Sequence, residues 1–114
     1  MKEEPMQDYV FCPQRAQAHG HPVDDGFLVK AGSTAMRNGS PMVKRDREER
    51  DRLVRTGVLV LDSDAELFRF ARDHVCSSAS QAGGIVKDGN CSGPQSWKNV
   101  VSGKTLQDDL RNPA

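Results

Sequence analysis

The stretch Ser78-Ala79-Ser80-Gln81 constrains this chain more than any other. Serine followed three residues on by glutamine is a capping box. The Ser78 hydroxyl can accept from the Gln81 backbone N–H, and the Gln81 side chain can reach back to the Ser78 N–H. A helix therefore starts at Ala79, and such a cap is worth about 1 kcal/mol against alanine. The next residues, Ala82-Gly83-Gly84, are costly there. Each interior glycine loses about 1 kcal/mol relative to alanine. Small residues at that cost predict sheet backbone pressed against this face. Ile85 and Val86 then enter the core, and Asp88-Gly89-Asn90 ends the helix, because glycine or asparagine suits a left-handed terminus. The helix spans 79–87. Ser92-Gly93-Pro94 is a second turn. Trp97, the only tryptophan, begins a strand and anchors beside the helix.

With 114 residues, one domain is expected. Hydrophobic residues make up 36%, so the core is modest, and the four phenylalanines and Trp97 carry much of it. Sixteen basic and sixteen acidic residues cancel. That balance disfavours bulk nucleic-acid binding, which shows basic excess, but allows a local patch. No apolar run approaches the about 18 residues of a membrane helix. The start, Met1-Lys2-Glu3-Glu4-Pro5, lacks an apolar signal core. A soluble, cytoplasmic protein is expected, with no membrane partner. The odd cysteine count (Cys12, Cys76 and Cys91) points to free thiols. Cys12, His19 and His21 lack the fourth ligand of a structural zinc site, so no metal or other cofactor is expected.

Residues 1–25 hold Pro5, Pro13 and Pro22 and few paired apolar positions, and read as a poorly ordered lead-in. Within it, Tyr9-Val10-Phe11 can dock as a short edge strand. The domain proper spans 26–110, with a frayed tail beyond. Residues 27–36 read as one strand, and Arg37-Asn38-Gly39-Ser40-Pro41 as a turn leading into a helix over 44–56. In that helix Asp46 and Arg50, Glu48 and Arg52, and Asp51 and Arg55 are spaced i,i+4 with the acid first. Gly57 stops it. Val58-Leu59-Val60-Leu61 is a strand. Residues 66–76 read as a strand broken near Asp73, with a helix over 64–74 as the alternative. Residues 97–101 and 104–106 form a hairpin around Ser102-Gly103, and the tail from Gln107 frays. The fold class is α+β: a small single domain with an antiparallel or mixed sheet of about four to five short strands and two main helices.

Taken together, S-x-S, a small-residue helix, a Gly-rich turn, W-K and Gly103-Lys104-Thr105-Leu106 resemble the domain of unknown function 4357 family. Residues 26–33 are similar to its opening strand, and residues 53–59 to its helix end. The resemblance covers 26–110. It departs where Ala79 replaces a usual proline, at Gln81 and Gly83, and in a slightly longer turn before Trp97. It favours strand over helix for 66–76. It also implies a bacterial domain often attached C-terminally to GIY-YIG nucleases and restriction-modification proteins.

No phosphate loop, G-x-S-x-G elbow or H-E-x-x-H motif occurs, and Tyr9 lacks the neighbours of a GIY-YIG signature. Cys76 and Cys91 have no identifiable base, and His74 no oriented acid, so no catalytic residue is assigned. The leading expectation is a non-catalytic accessory domain that binds DNA or RNA. Its phosphate contacts would come from Arg45, Arg47, Arg52, Lys98 and Lys104, with Ser78 and Ser80 presenting backbone N–H groups at the helix start. The competing reading of the arginines is a solvated helix whose acids neutralise the field. Trp97 could stack on a base, but core packing is the better use of it. Ser78, Gln81, Gly83, Gly84 and Trp97 are the structural residues. The alternative functions are a protein-interaction module, pairing through an exposed edge strand at 27–36 or 97–101, and a small cysteine-dependent enzyme. No small-molecule ligand is evident.

Overall fold

The computed structural model describes residues 8–39 and 46–111. The chain opens with β1 (Tyr9–Phe11), β2 (Ala18–Val23) and β3 (Gly26–Val29), each antiparallel to the next. Strand β4 (Thr34–Met36) is followed by helix α1 (Arg47–Arg55). Then come β5 (Leu59–Leu61), β6 (Leu67–Phe70) and β7 (His74–Cys76). Helix α2 (Ala79–Lys87), one-turn helix α3 (Gly93–Ser96), β8 (Lys98–Asn99) and α4 (Leu106–Arg111) complete it. The strands form two antiparallel sheets, β7-β3-β2-β1-β8 and β4-β6-β5, so the architecture is α+β.

Residues 8–25 differ from the expected lead-in: they build β1 and β2 in the larger sheet. Apart from Tyr9, their burial is carried by small residues. Ala16, Ala18 and Gly20 are buried, and such positions look like loop composition when only large apolar residues are counted. The anticipated strand over 27–36 is two strands in two sheets. Between them Gly32 takes φ +89° and its N–H donates to Phe70 O at 2.9 Å, so the chain crosses from one sheet to the other. The 66–76 segment is strand, broken between Phe70 and His74. The tail does not fray at Gln107: α4 runs to Arg111, and Tyr9 Oη donates to Asp109 Oδ2 at 2.7 Å to hold it. The 97–106 hairpin shrinks to two-residue β8, bridged by Lys98 to Thr105. Residues 44 and 45, given to the first helix, lie outside the described residues, as do residues 1–7 and the tail beyond Arg111.

Helix α2 is the central element. Ala82, Gly83, Gly84, Ile85 and Val86 are all buried, as expected for a helix packed on every side. Ser78 caps it, its Oγ accepting from Gln81 N at 3.0 Å. The return bond differs by one residue: Gln81 Oε1 accepts from Ser77 N, not Ser78 N, at 2.9 Å. Asp88, at φ +59°, is the left-handed terminus.

The glycines of α2 do not meet sheet backbone. A Cβ on Gly83 would overlap Cys91 Sγ, and one on Gly84 would overlap Asp46 Oδ2. Close backbone approach occurs instead at Gly93, where a Cβ would strike the peptide between Ala79 and Ser80. Trp97 is fully buried as expected. Its ring lies 4.6 Å from Phe27 and 5.6 Å from Phe11, and Nε1 donates to Ala79 O at 3.0 Å. It ends α3 rather than beginning a strand.

Candidate nucleic-acid interface

Helix α1 joins the body through its one buried arginine. Arg50 Nη1 donates to Ile85 O at 2.7 Å, Nη2 donates to Arg37 O at 3.0 Å, and Nε lies 3.2 Å from Asp88 Oδ1. Asp88 Oδ2 accepts from Gly39 N at 2.8 Å. The cation thus sits at the C-terminal end of α2, where carbonyls are exposed and positive charge is favoured. Burial lowers the Arg50 pKa, and the neighbouring Asp88 carboxylate opposes that shift. The i,i+4 reading of Asp46 with Arg50 therefore gives way to a long-range pair that pins α1, α2 and the turn after β4 together.

That pin leaves a groove of about 460 Å³ between α1 and β6. On the helix side, Arg47, Asp51 and Arg55 recur at four-residue intervals with Val54 beside them. The far wall is Arg37 and Asn38, and the floor is Phe68. The Arg37 and Arg50 guanidinium carbons each lie 5.6 Å from the Phe68 ring centroid, a cation–π distance. Arg37 Nη1 also donates to Ala65 O at 2.9 Å. Among the described residues, four arginines and a single carboxylate, Asp51, line this groove. The opposite flank of α1 has the reverse character. A second groove, of about 620 Å³, is lined by Asp46, Glu48, Glu49 and Asp51, with Arg52, Arg55 and Gln81.

The candidate residues are therefore not gathered on one face. Arg47 lines the cationic groove. Arg52 lies on the acidic flank, 2.5 Å from Glu49 Oε2, and that contact, followed by a smaller one from His74, lowers the Glu49 pKa. Arg45 lies outside the described residues. Ser78 and Ser80 are used within the fold: Ser78 caps α2, and Ser80 Oγ accepts from Gly93 N at 3.0 Å. Lys98 and Lys104 are exposed around β8 at the far edge of the larger sheet. Helix α1 lies at the β7 edge, where His74 Nε2 is 3.5 Å from Glu49 Oε2. Four strand spacings, about 19 Å, separate those edges. His74 thus has an acid neighbour that the sequence did not reveal. Trp97 is buried and cannot offer its face to a base.

The residues missed were Arg37, Asn38, Arg55 and Phe68 as parts of one groove. A helix-period count from Arg47 through Asp51 finds Arg55, but no local pattern joins α1 to Phe68 or to the turn after β4. The two cysteines weighed as nucleophiles, Cys76 and Cys91, are both buried. Burial, with Glu49 and Asp46 nearby, pushes the Cys76 thiol up to about 12, so it is a poor nucleophile. Cys91 is buried against Gly83. Among the described residues no group of three or more His, Cys, Asp or Glu could hold a metal ion. No helix among them is long and apolar enough to cross a membrane.

Residues 9–110 match the family model of a domain of unknown function, DUF4357. The chain belongs to the DUF4357 family. The match begins at Tyr9 and so takes in β1 and β2 as well as the segments that carried the resemblance. No curated protein and no solved structure matches the chain. The DUF4357 match carries no sign of catalysis.

Proposed function

We propose that this DUF4357 domain is a non-catalytic accessory module that binds DNA or RNA through the groove between α1 and β6. The observation that carries the reading is the segregation of charge around α1. Among the described residues of a net-neutral chain, Arg37, Arg47, Arg50 and Arg55 line one groove with a single carboxylate, Asp51, while Asp46, Glu48 and Glu49 lie on the other flank with Arg52; Asp51 and Arg55 border both. Exposed guanidinium groups in a concave wall meet phosphate oxygens with paired hydrogen bonds. The low dielectric of a cleft strengthens each contact relative to open solvent. The resemblance to domains attached to DNA-cutting modules points the same way, by analogy only. A cytoplasmic setting is part of the proposal and suits a chain with free cysteines.

Filter binding with mixed-sequence DNA and RNA tests it. Retention that falls steeply from about 50 to about 200 mM salt is expected. It should weaken in Arg47→Ala and Arg55→Ala, both exposed positions. Salt-independent retention, or no loss in either variant, contradicts the reading.

A protein-interaction role has one observation in its favour. Of the edge strands first considered, β3 lies inside its sheet and β8 is covered by the 104–106 segment, while β4, the second half of 27–36, is an end strand of the smaller sheet. Strand β5 is the other end strand, and its Leu61 is 66% exposed. Self-association that disappears in Leu61→Ser, seen by light scattering, would favour this second reading.

A further inference from the structure

We infer that the groove is built for a single strand, with an unstacked base entering over Phe68 and the adjoining phosphates held by Arg37, Arg47 and Arg55. The inference rests on the nucleic-acid reading above and names the substrate class of that same site.

The floor carries the inference. Phe68 is half-buried and Val54 is 42% exposed, and both line the groove. On an undistorted duplex an aromatic floor can meet only base edges in a groove, because the base faces are stacked on one another. A single strand supplies the missing partner, because each unstacked base has a π-face that packs on aromatic and apolar side chains. The Arg37 guanidinium lies over the Phe68 ring, its carbon 5.6 Å from the centroid, and adds a second planar surface, since a base stacks on a guanidinium plane as it does on a ring. The volume of about 460 Å³ suits one nucleotide rather than a long track.

The rim sets the charge count. Arg50 is buried and committed to Asp88 and Ile85 O, so it stiffens the site without reaching phosphate. Arg37, Arg47 and Arg55 are exposed. Asp51, four residues from both Arg47 and Arg55, keeps the helix wall from becoming a continuous cationic strip. Three phosphate contacts on a single strand give a log–log salt slope of about −2.

Fluorescence anisotropy with labelled oligothymidylate and oligouridylate, each about a dozen nucleotides long, and with a duplex of the same length, tests the inference. Either single strand should bind about tenfold tighter than the duplex. The salt slope should be about −2, falling to about −1.4 in Arg47→Ala. Val54→Ser should weaken single-strand binding while leaving that slope unchanged. The tighter of the two single strands identifies the natural chemistry. Duplex binding equal to or tighter than both single strands overturns the single-strand assignment and leaves the nucleic-acid reading standing. No salt-sensitive binding of any of the three probes overturns both.

Discussion

At Gly83 helix α2 meets a thiol. The space a Cβ would fill is taken by Cys91 Sγ, with Cys91 Cβ at 3.1 Å and Trp97 Nε1 at 3.5 Å. Gly83→Ala gains about 1 kcal/mol of helix propensity and loses about 1–3 kcal/mol to overpacking. Net destabilisation is therefore expected in urea unfolding, and Cys91→Ala in the same background should relieve it. A stabilised Gly83→Ala would mean that the contact is not tight. Tyr9, the only tyrosine, tests the other end of the fold. Burial first, then Asp109, raises its pKa from the ordinary 10.0 to about 12. The folded value lies above the unfolded one, so this contribution to stability is present in full below pH 10.0 and is lost as pH rises through about 12. Tyrosinate absorbance should titrate near 12 in the native protein and shift downward in Asp109→Asn. A native midpoint at the ordinary value would contradict burial of the phenol.

Between elements, the Arg50–Asp88 pair decides how α1 sits. Arg50→Met should cost about 3–5 kcal/mol, because it removes one side of a buried ion pair. Arg50→Met with Asp88→Asn should recover much of that loss, a coupling that a double-mutant cycle reads directly. Additive losses would contradict the pairing. This contact also marks where the sequence stops being readable. The cap at Ser78, the stop at Gly57 and the strand at Leu59 were legible because the relevant chemistry lies within a few residues. Arg50 was not, because its partners belong to α2 and to the turn after β4. Strand β1 was anticipated at Tyr9–Phe11, but β2 was missed because Ala18 and Gly20 do its burying, and small residues carry no periodic signal. For the same reason Gly83 and Gly84 were read as facing a strand when they face Cys91 and Asp46. The cationic groove was legible only in part: the arginines of α1 were visible, but not which flank each one joins.

Taken whole, the molecule is neutral yet polarised across one helix, with Arg37, Arg47 and Arg50 toward β6, Asp46, Glu48 and Glu49 toward Gln81, and Asp51 and Arg55 bordering both. Lys98 and Lys104 lie at the opposite sheet edge and add nothing to that field at close range. Amide NMR during titration with oligothymidylate maps this claim residue by residue. Shifts should gather at Arg37, Asn38, Arg47, Val54, Arg55 and Phe68, while Glu48, Gln81, Lys98 and Lys104 stay still. Perturbations centred on Lys98 and Lys104, with the α1–β6 groove silent, would contradict the account.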